Sequence, residues 1–214
     1  MNSKKTLRSG VLIAALLGSL ALSGCAPLLV GGAVGGALMA SDRRTSGTQV
    51  EDQAIELKAS NRVRDLLGER GHVNVTSYNR TVLITGEVPS DADRGAVEQA
   101  ISRVENVRST VNELAVAGNS SLTARSSDAI ITGKVKATLV DAKDVQANAF
   151  KVVTERGVVY LMGRVTEREA KRAAELASGV GGVQKVVRVF EILTEQELAD
   201  LTPKAPSKES PKQQ

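Results

Sequence analysis

A long stretch of this chain is written twice. Residues 73–86 (VNVTSYNRTVLITG) align with residues 150–163 (FKVVTERGVVYLMG) at a constant offset of 77. Asp52 matches Asp128, and Val104 and Val107 match Val180 and Val183, each at an offset of 76. A repeat of this kind constrains the fold strongly, because whatever one copy forms the other must form too. Each copy spans roughly 65–70 residues, near the lower end for a domain that folds alone.

Within each copy the apolar period changes along the chain. Ile55, Ala59, Val63 and Leu66 fall on one helical stripe, as do Ile131, Val135 and Leu139 in the second copy. Asp52 and Asp128 stand where they could cap these helices. Two short strands follow, residues 73–77 and 82–88 in the first copy. Tyr78-Asn79-Arg80 and Glu155-Arg156-Gly157 supply the hairpin turns, because Asn and Gly tolerate positive φ. A second helix starts at Ser90 or at Thr166, where Thr166 and Glu169 spell a capping box. Ala96 and Ala100, and Ala170, Ala173, Ala174 and Ala177, give it a small face that sits close to a sheet. Residues 107–116 and 183–193 read as a last strand. The expectation is an α+β protein, α-β-β-α-β twice.

The N-terminus has a different character. Lys4, Lys5 and Arg8 precede an apolar run from residue 11 to 22, the order of a secretory signal. The run is shorter than the roughly 20 residues that span a bilayer. Leu22-Ser23-Gly24-Cys25 resembles a lipobox, which implies cleavage before Cys25 and acylation of its thiol. Cys25 is the only cysteine, so no disulfide partner competes for it. One acyl chain anchors weakly and several anchor stably, so a triacylated cysteine holds the chain on a membrane. By resemblance to enteric-type sorting, Ala26 in place of an aspartate directs it to the outer membrane, facing the periplasm. Residues 26–40 are apolar and glycine-rich. They read as a tether near the headgroups, although Gly31/Gly35 and Gly32/Gly36 also have the spacing of packed membrane helices.

The repeated unit, with Gly86-Glu87-Val88 or Gly163-Arg164-Val165 after its second strand and a Val-x-x-Val into its last, resembles the BON domain. Two such units behind a lipobox are similar to the dual BON-domain outer-membrane lipoproteins. The resemblance implies a small three-stranded mixed sheet with two helices on one face. It also implies phospholipid binding and support of the outer-membrane barrier, without catalysis. The expected organisation is a signal peptide over 1–24 and a lipidated, glycine-rich tether over 25–50. BON domain 1 follows over 51–117, a linker over 118–125, BON domain 2 over 126–193 and a disordered tail over 194–214. Residues 202–214 are rich in Pro, Lys and Ser and cannot bury a core.

Charge distinguishes the copies. Residues 51–117 carry eight Lys/Arg and eleven Asp/Glu, whereas residues 126–193 carry eleven and eight. Anionic headgroups attract basic segments by about 1 kcal/mol per nearby charge, so the second copy is the expected partner of anionic phospholipid. On its first helix, Ile130 lies about 100° from Ile131. Gly133, Lys134 and Ala137 share that flank, which the core does not need. These four are the expected lipid-binding residues; the alternative is that Ile130 packs against the first copy. A second functional reading is an adaptor, in which the acidic first copy binds envelope proteins such as the outer-membrane assembly machinery.

Other classes find little support. The chain has two Tyr, two Phe and no Trp, and single-stranded nucleic acid needs aromatic faces to stack on. The formal charge of +4 includes three positive charges of the signal, so it does not point to nucleic acid. No phosphate-binding loop is present. His72 is the only histidine, and no metal-ligand cluster is visible along the sequence. Neither a cofactor nor a catalytic residue is expected.

Overall fold

In the computed structural model, residues 42–201 are described, and they belong to one compact unit. The first copy forms α1 (Ser46–Leu67), β1 (His72–Tyr78), β2 (Thr81–Val88), α2 (Asp91–Ser102) and β3 (Ser109–Val116). The second forms α3 (Leu122–Asp141), β4 (Phe150–Glu155), β5 (Val158–Thr166), α4 (Glu167–Ser178) and β6 (Lys185–Leu193). A short helix, α5 (Glu195–Leu201), closes the described chain.

Each copy makes one three-stranded mixed sheet, as expected. The order is β1-β2-β3 and β4-β5-β6. The first two strands pair antiparallel through a hairpin, and the helix between the second and third returns the chain for parallel pairing. At the turns Asn79 and Arg80, and Arg156 and Gly157, all have positive φ, the backbone of a type I′ hairpin. The motif glycines are required by close approach. A side-chain carbon on Gly86 would collide with the His72 carbonyl oxygen, and one on Gly163 with that of Ala149.

The helices cover one face of each sheet. Ile55, Ala59, Val63 and Leu67 pack with Val82, Ile84, Val88, Val97 and Ile101. Ile131, Val135 and Leu139 pack with Val159, Leu161, Val165, Ala170, Ala173 and Ala177. Leu67 rather than Leu66 ends the buried line of α1; Leu66 is 40% exposed. The line advances by four residues at each step, and the last helical residue turns under the sheet end, where its side chain meets Gly71. The Thr166–Glu169 capping box forms.

The uncovered faces of the two sheets pack on each other. Tyr78 and Leu83 of the first copy join Tyr160 and Met162 of the second in a separate apolar cluster, flanked by Val111, Val153, Val158, Val187 and Val189. The result is four layers, helices–sheet–sheet–helices. Burying each large apolar side chain contributes roughly 1.5–3 kcal/mol, so this middle layer gives two small domains a shared core. Polar contacts ring it: Lys151 reaches Glu56 at 2.8 Å, and Asn79 and Arg108 both reach Glu191, at 2.6 and 3.0 Å.

Several expectations are corrected. Asp52 and Asp128 do not cap their helices; Thr45 and Ser121 do. Each aspartate lies two turns inside its helix, buried, and clamps the neighbouring hairpin. Asp52 accepts hydrogen bonds from the Asn79 and Arg80 backbone N–H groups and the Ser77 hydroxyl. Asp128 accepts from the Arg156 and Gly157 N–H groups. Turn N–H groups that bend away from the ladder need an acceptor, and the carboxylate supplies it.

The tether does not extend to Val50, because α1 begins at Ser46 and the preceding arginines are built into the fold. Arg44 reaches Asp52 at 2.8 Å and lies 4.2 Å from the centre of the Tyr78 ring. Arg43 holds the Glu169 carboxylate with both terminal nitrogens, at 2.8 and 2.7 Å. Helix α3 begins at Leu122, within the expected linker. The tail is helical at its start, because Thr194 and Glu197 form a reciprocal cap. Its remainder, 202–214, lies outside the described residues, as do the expected signal, Cys25 and the glycine-rich tether.

Candidate functional site

Two places on the folded unit could do chemistry or binding. The first is the outer face of α3. Ile131, Val135, Leu139 and Asp128 turn inward, which fixes the opposite side of the helix in solvent. Ile130 is 60% exposed, and Gly133, Lys134 and Ala137 are exposed beside it. Ile130 therefore does not pack into the first copy. The spacing of three and four residues puts all four on one face. Val140, 69% exposed, extends the apolar strip beyond Ala137; the sequence reading missed it, although it stands three residues on.

Gly133 has open space where a side-chain carbon would sit. A glycine inside a helix costs about 1 kcal/mol against alanine, and no packing requirement explains it here. Lys134 forms no ion pair among the described residues. Lys134 and Ala137 also border a shallow groove of about 630 Å³ between α3 and α4, lined across from them by Arg172, Leu176 and Gly179.

The matching face of α1 differs in charge more than in apolarity. It exposes Leu57 and Val50, each 66% accessible, so the small size of Ala54 does not make it a polar face. Lys58, the counterpart of Lys134, is spent on Glu105 at 3.1 Å. Among the described residues no helix is long and apolar enough to cross a membrane.

The second place lies where the copies meet. His72 and Glu87 are cross-strand partners on β1 and β2. Glu155 ends β4 and approaches from the second copy. One donor atom from each lies within 4.8 Å of the others. Glu87 is 1% and Glu155 6% exposed. The imidazole Nδ1 is 3.5 Å from Glu87 Oε2, which accepts from the Ser120 N–H at 3.1 Å. Glu155 accepts from Asn74 at 2.8 Å. Burial pushes the Glu155 carboxyl up, the Asn74 hydrogen bond opposes this, and the neighbouring Glu87 carboxylate adds to the rise. His72, Glu155, Asp128 and Arg125 line a cavity of about 250 Å³ beside the cluster.

The family model described as the BON domain matches residues 52–118 and 127–194. Over 184 residues the chain is 38% identical to the outer membrane lipoprotein DolP of Haemophilus influenzae, covering 85% of this chain and 95% of that protein. It is 35% identical over 151 residues to the 21 kDa hemolysin of Actinobacillus pleuropneumoniae, covering 70% and 78%. It is 29% identical over 144 residues to the osmotically-inducible protein Y of Escherichia coli, covering 65% and 72%.

Proposed function

The chain belongs to the DolP family of dual BON-domain proteins, and on that premise we propose that it is a non-catalytic outer-membrane lipoprotein facing the periplasm. Lipid on Cys25 holds it at the membrane. Its second BON domain binds anionic phospholipid through α3, and this contact supports the integrity of the outer membrane. The observation that carries the reading is the exposed strip Ile130, Gly133 and Ala137 beside Lys134, which forms no ion pair among the described residues. An apolar strip bordered by a lysine is suited to the headgroup layer: the alkyl group enters and the ammonium stays at phosphate level. The flat surface at Gly133 lets the backbone come close to the lipid.

The test is flotation of a fragment starting at Ser41 with vesicles of anionic and of zwitterionic lipid. Binding is expected to favour the anionic vesicles. Ile130→Glu removes the apolar insertion and adds repulsion, so it should weaken binding about ten-fold or more, with an unchanged circular dichroism spectrum. Leu57→Glu on α1 should cost less. Equal losses, or none from Ile130→Glu in a folded protein, would place the lipid contact elsewhere.

Anchoring has its own test. Cys25→Ala should leave an uncleaved precursor or release the chain from membrane fractions. Normal processing and sorting of that variant would end the lipoprotein reading.

One observation favours a second role. The acidic first domain exposes Leu57 and Val50 on α1, a surface suited to a protein partner of the envelope, such as the assembly machinery. Loss of co-purifying proteins from Leu57→Glu, with vesicle binding retained, is the expected signature of that role.

A further inference from the structure

We propose that His72, Glu87 and Glu155 bind a divalent transition-metal ion of the zinc class, which fastens the first domain to the second. The donor set is one imidazole and two carboxylates, the ligand types that zinc takes at about 2.0–2.2 Å. Ligand atoms around a four-coordinate zinc ion stand roughly 3.3 Å apart. The 3.5 Å between His72 Nδ1 and Glu87 Oε2 already meets that spacing. The full triad lies within 4.8 Å, so ion binding draws the chains together by about an ångström or more. Glu155, at the end of β4, and His72, at the start of β1, are both at strand ends, where such a movement is easiest.

The burial of unsatisfied atoms is an independent sign of a missing ligand. His72 Nδ1 and Glu87 Oε1 are both shut off from solvent and have no hydrogen-bond partner. Such atoms lose their water without a hydrogen bond in its place. Charge points the same way. Among the described residues no Lys or Arg pairs with Glu87 or Glu155, and Asp128 lies in the same cavity. Arg125, also in that cavity, donates instead to the Ser120 carbonyl. The cavity opens a route by which an ion enters. A lone imidazole among carboxylates favours zinc-class ions over Mg²⁺ or Ca²⁺, which prefer oxygen-only sets.

The site is not a by-product of the repeat. Ala149 and Arg164 stand in the second copy at the positions of His72 and Glu87, and Arg164 is spent on Glu191 at 3.1 Å. The two copies thus meet through a cluster that neither could form alone.

The test is calorimetric titration of ZnCl2 into the full chain in detergent micelles after chelator treatment. One site per chain is expected, silent towards MgCl2, with a thermal midpoint that rises by several degrees on saturation. His72→Asn and Glu155→Gln should each weaken that site at least about ten-fold. No zinc heat above dilution, or equal affinity in folded variants, overturns the proposal. Should a variant unfold, CoCl2 added to the wild-type chain decides. Visible d–d bands of a low-coordinate nitrogen–oxygen site, removed by zinc, support it; a spectrum of hexa-aquo cobalt alone refutes it.

Discussion

Asp52→Ala is expected to destabilise the folded unit by about 3–5 kcal/mol, the cost of breaking a buried, hydrogen-bonded charge pair. The carboxylate is 2% exposed. It accepts from the Ser77 hydroxyl at 2.7 Å and from the Asn79 and Arg80 N–H groups and the Arg44 guanidinium, each at 2.8 Å. Alanine leaves two turn N–H groups and the Ser77 hydroxyl without that acceptor at once, and leaves Arg44 with Asp42 alone. Asp128→Ala should cost less, about 1–3 kcal/mol, because Asp128 clamps its turn without an arginine. Urea midpoints at neutral pH measure both; equal losses would show that the Arg44 contact adds nothing.

The same residue predicts a pH dependence. Burial alone pushes the Asp52 carboxyl up, but the hydrogen bonds from Ser77, Arg80, Arg44 and Asn79 outweigh it and hold it below the usual carboxylate range. A carboxyl lowered on folding stabilises fully above its unfolded value, about 3.9. That contribution is lost as pH falls through the lower folded value. The stability gap between wild type and Asp52→Asn should therefore narrow below about pH 4. A gap that is the same at pH 7 and at roughly pH 3 would contradict this.

The second large effect is expected at Arg43. Its guanidinium grips Glu169 with two nitrogens and also donates to the Arg164 carbonyl at 2.8 Å. The two side chains are only 7% and 6% exposed. Burial raises the Glu169 carboxyl, and the Arg43 and Thr166 hydrogen bonds more than reverse the rise. Arg43→Ala leaves that carboxylate buried beside its capping N–H groups with no cation. The expected cost is about 3 kcal/mol or more, a fall in Tm of roughly 10 °C. The segment before α1 should then also become open to limited proteolysis. Arg43→Lys keeps a charge but loses the fork, so it should fall between the two. A Tm within about a degree of wild type for Arg43→Ala would mean that the pair is not closed in solution.

Much of this was legible in the residues. The repeat, the turn residues Asn79 and Gly157, the Thr166–Glu169 box and the Ile131-Val135-Leu139 stripe follow local rules that depend on near neighbours. The apolar period starts at Ile55, which draws the expected helix start towards Asp52, whereas the helix begins at Ser46. Thr45 and Ser121 carried the capping signal instead. Pairing of the two sheets had a trace in sequence: Leu83, Tyr160 and Met162 occupy the alternate positions that a one-sided sheet would make polar.

The sequence by itself determined that two like α-β-β-α-β units exist and where their turns fall. These follow from periodicity and turn chemistry, which act over a few residues. Only the tertiary structure decided what the units do to each other. Arg43 and Glu169 are 126 residues apart along the chain, and Asn74 and Glu155 are 81 apart. Neither pair has a period or spacing to betray it. No metal-ligand cluster is visible around His72 in the sequence for the same reason. Hairpin pairing sets Glu87 beside it, and only the packing of the two copies brings in Glu155 from the other domain.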